Sequence, residues 1–115
     1  MKKILVVDDD PGILDVVKYI LTSNGFLVQT HDSGYDVPDI ILHYRPDLIL
    51  LDIRLPGKLG TEICRELKKL NKIPIILFSA HADYHTALAE CAADDFIEKP
   101  FELDDFLQTI RSHLN

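Results

Sequence analysis

The sequence lacks the features of disulfide-bonded and membrane-spanning proteins. It has two cysteines in 115 residues. Neither has a partner at the spacing of a metal site, so we expect Cys64 and Cys91 to be reduced and buried. No apolar run approaches the roughly 18–20 residues of a membrane helix. The apolar run after Lys2-Lys3 is short and ends in three aspartates, which is unlike a signal peptide. A cytoplasmic protein is the expectation.

Basic residues are also scarce. Twelve lysines and arginines face 19 aspartates and glutamates, giving a formal net charge of −7. A nucleic-acid groove needs clustered lysine and arginine, whereas Lys68, Lys69 and Lys72 are interleaved with apolar residues, as on a solvated helix face. We therefore expect neither nucleic-acid nor membrane binding. The apolar content of 47% suffices for one core, and residues 1–115 are interpreted as one domain.

The sequence does contain a regular alternation of short apolar runs and helical patterns. Strands are predicted where apolar residues cluster, at 3–7, 26–30, 48–51, 75–78 and 95–98. A helical pattern follows each of them, the fourth at 84–92 and the last from Leu103 to Leu114. This order predicts an α/β fold: a doubly wound five-stranded parallel sheet with five helices and right-handed crossovers. It does not by itself determine the order of the strands.

Local signals mark where several helices begin. Asp10 and Pro11 suit the cap and the first turn of the first helix. Pro38 lies in or before the first turn of the second helix, which we expect to start late or to be irregular. Gly60 is interpreted as part of a flexible loop after the third strand, and Thr61 as the cap of the third helix.

Acidic residues follow two of the apolar runs. Asp8 and Asp9 come directly after the first strand, and Asp52 follows the third. The carboxyl ends of parallel strands meet at one edge of a sheet, where open α/β folds bind ligands. Carboxylates held close together raise one another's pKa unless they share a cation. An all-oxygen ligand set suits Mg²⁺ and disfavours zinc or copper, so the sequence predicts a magnesium site at this edge.

Two further polar residues lie at the ends of strands. Lys99 follows the fifth strand, and its ammonium group suits a phosphoryl oxygen or a carboxylate. The bond to Pro100 is an X-Pro bond, for which the cis form costs only about 0.5–1 kcal/mol. Ser79 follows the fourth strand, and we expect its hydroxyl to donate to a bound phosphoryl group. The edge thus has the groups needed to hold a divalent metal and a phosphoryl group.

Several motifs occur in the order and at the spacing of a known family. They are Val6-Val7-Asp8-Asp9, Pro46-Asp47-Leu48-Ile49-Leu50-Leu51-Asp52, Leu55-Pro56-Gly57, Ser79-Ala80 and Lys99-Pro100-Phe101. Through them the chain resembles, over essentially its whole length, the response-regulator receiver domains of two-component signalling, typified by the bacterial chemotaxis receiver. The resemblance implies a flavodoxin-like fold with strand order 2-1-3-4-5. It also implies that the phosphoryl donor is a sensor histidine kinase or a histidine phosphotransfer protein.

The resemblance further implies roles for the residues at the sheet edge. Asp52 would be the phospho-accepting nucleophile and would share in the metal site, and Lys99 would offset the charge of the phosphoryl group. Asp9 would bind Mg²⁺ or Mn²⁺ directly, and Asp8 mostly through water or as a second ligand. The backbone carbonyl of Arg54 would be a further ligand.

Signalling would depend on two more positions. Ser79 falls at the family's Ser/Thr switch position, and Phe96 at its aromatic rotamer-switch position. The resemblance implies that phosphorylation alters the surface of the fourth helix, fifth strand and fifth helix, here about residues 84–92, 95–98 and 103–113. That surface would contact an output partner or an effector domain. We expect either a stand-alone receiver or one cut from a longer regulator.

The chain departs from the family pattern in places, and two other functions stay open. Ala92-Ala93 replaces the common Gly-Ala before the fifth strand, so the turn there need not match the family's. A haloacid-dehalogenase-type phosphohydrolase would use Asp8 as its nucleophile, but it leaves Asp52 without a role. A receiver-shaped interaction module that is never phosphorylated has no need of the intact acidic set. We expect a signalling phosphoacceptor rather than an enzyme that turns over small phosphate esters.

Overall fold

A five-stranded parallel sheet forms the centre of the molecule. The computed structural model describes residues 1–80 and 90–114. The strands are β1 (Lys3–Val7), β2 (Leu27–His31), β3 (Leu48–Leu51), β4 (Ile75–Ser79) and β5 (Asp95–Glu98). The helices are α1 (Pro11–Ser23), α2 (Val37–Tyr44), α3 (Gly60–Leu70) and α4 (Leu103–Ser112). Among the described residues, no helix is both long and apolar enough to cross a membrane.

The strands lie in the order β2-β1-β3-β4-β5, and every pairing is parallel. This confirms the predicted fold class and the strand order that the resemblance implied. The chain runs from β1 outward to β2 and then returns past β1 to form β3, so the direction of winding reverses between β1 and β3. The register pairs Val7 with Leu51, which brings the residues that follow these two strands side by side at the switch point of the sheet.

Helices cover both faces of the sheet. On one face, α2 and α3 pack against a cluster that includes Leu5, Ile49 and Leu77. On the other face, α1 and α4 pack against a cluster that includes Ile4, Leu50 and Phe78. Because the central strands are buried on both sides, they are apolar at nearly every position, which accounts for the absence of alternation in their sequences.

Most predicted strand bounds are confirmed. β1, β3 and β5 have the predicted residues, β4 extends one residue further to Ser79, and β2 lies one residue later than predicted. β2 is an edge strand with partly exposed positions, so its apolar signal is weaker than those of the central strands. The helix predicted at 84–92 falls largely outside the described residues, which contain four of the five predicted helices.

The first two helices begin as their sequences indicate. The Asp10 side chain caps α1 by accepting the N–H of Gly12 at 2.9 Å. In α2, Pro38 lies in the first turn, where its missing N–H is not needed. The expected irregularity appears before that turn, because Asp36 has a left-handed backbone with φ of 63°.

The prediction that Thr61 caps α3 is wrong. The helix begins at Gly60, and its cap position is held by Leu59 without a side-chain hydrogen bond. The Gly60 N–H donates to the Ile53 carbonyl at 2.7 Å, and a Cβ at Gly60 would overlap the main-chain carbonyl of Asp52. A close tertiary approach that requires glycine therefore fixes the start of this helix, and it overrides the local preference for a capping threonine.

Candidate functional site

Three aspartates converge at the switch point of the sheet. Asp8 follows β1, Asp9 is its neighbour, and Asp52 follows the adjacent strand β3. One carboxylate oxygen from each lies within 4.8 Å of the others. Asp8 is fully buried and Asp52 is 6% exposed, whereas Asp9 is exposed. The structure thus brings together the three acidic residues that the sequence predicted.

Main-chain contacts hold the Asp8 carboxylate in place. The Asp8 N–H donates to the His31 carbonyl at 3.0 Å, which continues the pairing of β1 with β2 past the end of the strand. Its Oδ1 accepts the N–H of Asp10 at 2.9 Å. With one oxygen fixed in this way, the second oxygen is left for charged partners.

Lys99 lies between the two buried carboxylates. Its Nζ is 2.5 Å from Asp8 Oδ2 and 3.5 Å from Asp52 Oδ2. It also lies 4.7 Å from the centroid of the Phe78 ring, a distance at which a cation is attracted to an aromatic face. The ammonium group therefore reaches the acidic residues as the sequence predicted, and its closer partner is Asp8.

This environment shifts the pKa of Asp52. Burial is the main cause that raises its pKa; the Lys99 charge opposes the shift, and the Asp8 charge adds to it. The Arg54 N–H, which donates to Asp52 Oδ1 at 3.3 Å, also opposes it. Of the three carboxylates, those of Asp8 and Asp52 pair with the ammonium group of Lys99, and a bound cation would offset further negative charge.

The oxygen atoms of the site fit a small divalent cation. Mg²⁺ binds oxygen ligands at about 2.0–2.1 Å in octahedral geometry, so ligands on opposite sides lie roughly 4.2 Å apart. The three aspartate oxygens, within 4.8 Å of one another, lie close enough to share one ion after an inward movement. Arg54 contacts Asp52 through its N–H, and the ligand role of its carbonyl stays a prediction.

Ser79 and Phe96 occupy different positions relative to the acidic residues. Ser79 is buried at the end of β4, and its carbonyl accepts the Lys99 N–H at 2.9 Å. The Lys99–Pro100 bond that follows is cis. Phe96 lies in β5 opposite Leu77 and packs, half-buried, against the core on the α2–α3 side. Ser79 is thus next to the lysine of the site, whereas Phe96 contacts the core behind it.

Two residues that sequence reasoning did not assign also shape the site. Gly60, the first residue of α3, contacts the main chain of Asp52. The Tyr35 ring lies against Gly57, in the loop that precedes α3. Pro56 and Gly57 indicated a flexible loop, and Gly57 has a positive φ of 84°. Nothing in the sequence indicated that Tyr35, from a different loop, would cover it.

The two cysteines are free and buried, as predicted. The Cys64 thiol donates to the Cys91 carbonyl at 3.4 Å, and burial raises the pKa of Cys64. A thiol that stays protonated is a poor nucleophile and a poor metal ligand. Cys64 therefore acts in packing.

A family model for the response regulator receiver domain matches residues 4–111 of the chain. Among solved structures, the BeF₃-activated N-terminal receiver domain of Klebsiella pneumoniae RstA is similar, with 32% identity over 99% of both chains and a TM-score of 0.94. A response regulator receiver domain protein (CheY-like) from Methanospirillum hungatei has 32% identity, covers 99% of this chain and 94% of its own, and has a TM-score of 0.91.

A third similar structure belongs to a longer protein. NtrX from Brucella abortus, in complex with ADP, is 34% identical, and the match has a TM-score of 0.89. It covers 99% of this chain but only 27% of NtrX. In that protein a unit of this shape is therefore one part of a larger chain.

Proposed function

The chain belongs to the response regulator receiver family of two-component signalling, and we propose that its Asp52 accepts a phosphoryl group in a Mg²⁺-dependent reaction. The observation that carries this proposal is the position of Lys99, whose ammonium group contacts the buried carboxylates of both Asp8 and Asp52. Such a group can neutralise a phosphoryl group that arrives between these residues. We further propose that residues 1–115 form one receiver domain.

In the proposed reaction, a carboxylate oxygen of Asp52 attacks the phosphorus of a phosphohistidine. An O–P bond forms, the N–P bond of the donor breaks, and the donor imidazole keeps the electron pair of that bond. Lys99 offsets the charge on the phosphoryl oxygens, and the Ser79 hydroxyl donates to one of them. The protein mainly positions these groups, because phosphoryl transfer needs little else from it.

The acidic residues would hold the metal. We propose that Asp8, Asp9, Asp52 and the Arg54 carbonyl bind Mg²⁺ or Mn²⁺, which would neutralise further charge on the transferred group. Before a ligand binds, Asp8 is already oriented by the Asp10 N–H. This fixed carboxylate reduces the reorganisation that binding requires.

The proposed partners follow from the same chemistry. The donor would be a phosphohistidine on a sensor histidine kinase or a phosphotransfer protein in the cytoplasm. A phosphoryl group adds roughly −1.5 to −2 of charge and strong acceptor oxygens, by analogy with other phosphorylated side chains. Ser79 would follow these oxygens and Phe96 would change its burial, which would alter the surface at 84–92, 95–98 and 103–113 for an output partner or effector domain. The role is signalling rather than turnover of a small substrate.

Incubation with acetyl phosphate, followed by intact mass measurement, tests the proposal. With Mg²⁺ the protein should gain the mass of one phosphoryl group, and chelation of the metal should prevent the gain. Asp52→Asn should gain nothing, whereas Asp15→Asn, on the exposed surface of α1, should behave as the unmodified protein does. Labelling that survives Asp52→Asn and disappears in Asp8→Asn would instead support phosphohydrolase-type chemistry.

A further inference from the structure

The loop after β3, residues 52–59, is packed against the loop between β2 and α2, residues 32–36. The Gly34 N–H donates to the Pro56 carbonyl at 3.2 Å. Gly34 also approaches the main chain of Lys58 so closely that a Cβ would lie 2.7 Å from the Lys58 carbonyl oxygen. The phosphoacceptor loop, as proposed above, therefore rests on a second loop that carries none of the acidic residues of the site.

Tyr35 contributes a side-chain contact between the two loops. Its ring lies directly against Gly57, where any Cβ would overlap the ring. Gly57 has a φ of 84°, a conformation that glycine adopts readily and other residues adopt at a cost. A glycine of this kind gives its loop freedom to move, and the aromatic ring packs against it. Tyr35 does this while remaining 60% exposed, so its role is not that of a core residue.

The loop that carries Tyr35 is itself anchored beside the acidic residues. The His31 Nε2 lies 2.7 Å from the Tyr35 carbonyl, and the Tyr35 N–H donates to Ser33 Oγ at 3.3 Å. The His31 carbonyl accepts the N–H of Asp8. The end of β2 thus contacts both the acidic pair after β1 and, through Tyr35, the loop that begins with Asp52.

We propose that Tyr35 is a positioning residue: by covering Gly57 it holds the 52–59 loop in the geometry that metal binding and phosphoryl transfer require. This inference rests on the function proposed above. Asp52 and Arg54 both belong to this loop, so its mobility would spread the metal ligands over several arrangements. Groups that orient metal ligands typically change affinity by 10–100-fold when they are removed. Tyr35 contacts the loop rather than a metal ligand itself. Its removal should therefore change Mg²⁺ affinity by less, about 3–10-fold.

Three variants test the inference. Tyr35→Ala removes the ring, Tyr35→Phe keeps the ring and removes the hydroxyl, and Tyr19→Ala makes the same truncation on α1, where Tyr19 is 74% exposed. The first measurement is amide hydrogen exchange in the metal-free protein. Tyr35→Ala should speed exchange at Gly34 and Gly57, whereas Tyr35→Phe and Tyr19→Ala should leave it unchanged.

The second measurement is the Mg²⁺ dissociation constant from an NMR titration, with the rate of Asp52 labelling by acetyl phosphate measured in parallel. Tyr35→Ala should weaken Mg²⁺ binding by about 3–10-fold, and its labelling rate should recover at high Mg²⁺. Tyr35→Phe should restore the unmodified values. Equal Mg²⁺ affinity in Tyr35→Ala and the unmodified protein, or an equal loss in Tyr19→Ala, would overturn the inference.

These measurements separate the two proposals. If the unmodified protein binds Mg²⁺ but takes no phosphoryl group at Asp52, the proposed function fails while the comparison of Tyr35 variants still decides whether the loop contact positions the metal ligands. If the unmodified protein is labelled and Tyr35→Ala matches it in exchange and in Mg²⁺ affinity, the positioning role fails alone. Absence of Mg²⁺ binding by the unmodified protein would overturn both.

Discussion

Lys99 forms ion pairs with two buried carboxylates. Its removal should show how much these ion pairs contribute to the free energy of unfolding. Breaking a buried ion pair costs about 3–5 kcal/mol, but this lysine retains 17% exposure. We therefore expect Lys99→Met to lower the free energy of unfolding by about 1–3 kcal/mol in urea without Mg²⁺.

A surface pair provides the control for this change. Lys58 Nζ lies 2.6 Å from Glu66, with side chains 35% and 52% exposed, so Lys58→Met should cost less than about 1 kcal/mol. Equal losses in the two variants would show that the Lys99 contacts contribute no more than an exposed ion pair does.

Asp52 should destabilise the metal-free protein at neutral pH. Its pKa is raised in the fold, with burial as the main cause, so folding disfavours its charged form. The folded state therefore binds more protons than the unfolded state between the ordinary carboxyl pKa of 3.8 and the raised value. Stability therefore falls as the pH rises through this window.

Asp52→Asn should accordingly be more stable than the unmodified protein at pH 7 without metal, as measured by urea denaturation. The gain should shrink as the pH is lowered and disappear below about 3.8, because the Asp52 carboxyl is then protonated in both the folded and the unfolded state. Asp15→Asn, at an exposed position, should show no such pH-dependent gain. If Asp52→Asn raises the free energy of unfolding by the same amount at every pH in this range, burial of a charged carboxylate is not the cause of the gain.

The acidic and basic residues of the site were predictable because each directly follows a strand or lies at its end. Parallel strands place their carboxyl ends together, so positions after apolar runs indicated Asp8, Asp52 and Lys99 without knowledge of the fold. Tyr35 and Gly60 were not predictable in the same way. Their roles depend on contacts between segments that are distant or non-periodic in the sequence: Tyr35 packs against Gly57, and Gly60 against the Asp52 main chain. No periodicity in the sequence indicates such contacts.

At the scale of the elements, the central strands were predicted accurately and the element ends less so. β1 and β3 are buried on both faces and flanked by clear breaks, so their bounds are fixed by a dense apolar run. β2 is an edge strand with three of its five residues partly buried and two exposed. Its observed bounds lie one residue later than the predicted ones. α3 begins where Gly60 approaches the Asp52 main chain, which a capping rule based on side chains could not anticipate.

The turn into β5 departs from the family sequence but retains a left-handed residue. Ala92 has a φ of 55°, a conformation that costs an L-residue roughly 1–2 kcal/mol. Glycine avoids this cost but loses about 0.5–1 kcal/mol more through the unfolded state. Ala92→Gly should therefore stabilise the protein by about 0.5–1 kcal/mol in thermal or urea unfolding.

The adjacent alanine gives a matched control. Ala93 packs against the core and is not among the residues with positive φ. Ala93→Gly should therefore destabilise by about 0.5–1 kcal/mol or more. Two substitutions of the same kind, one residue apart, should thus have opposite signs. Destabilisation by Ala92→Gly would contradict the left-handed turn.

At the scale of the whole molecule, the proposed function requires that the site at the switch point be coupled to the proposed output surface. β4 and β5 connect them, because Ser79 and Lys99 lie at their carboxyl ends and Phe96 lies within β5. A ligand shifts a two-state equilibrium only through its differential affinity for the states. We expect beryllofluoride, a mimic of the phosphoryl group, to change NMR shifts near Asp52 and also across 95–98 and 103–113.

Ser79→Ala should separate binding from response. The variant should still accept a phosphoryl group at Asp52, but the shift changes across 95–98 and 103–113 should weaken. The response at Asp9, a proposed metal ligand, serves as the internal control and should persist. Changes confined to the metal site in the unmodified protein would contradict the switch role of Phe96, even if Asp52 is the acceptor.

The topology was only partly predictable from the sequence. The alternation of apolar runs and helical patterns indicated a doubly wound parallel sheet, because parallel strands need helical crossovers. The same alternation is compatible with several strand orders, and the order β2-β1-β3-β4-β5 came from the family resemblance. Strand order depends on which faces the helices cover, and that is settled by packing over the whole sheet.

The identity of the phosphorylated residue tests the central claim most directly. The protein would be labelled with acetyl phosphate and Mg²⁺, reduced with borohydride to convert an aspartyl phosphate to homoserine, digested, and analysed by tandem mass spectrometry. The account predicts homoserine at position 52, dependent on Mg²⁺. Homoserine at position 8, or its absence from every aspartate of a protein that binds Mg²⁺, would contradict it.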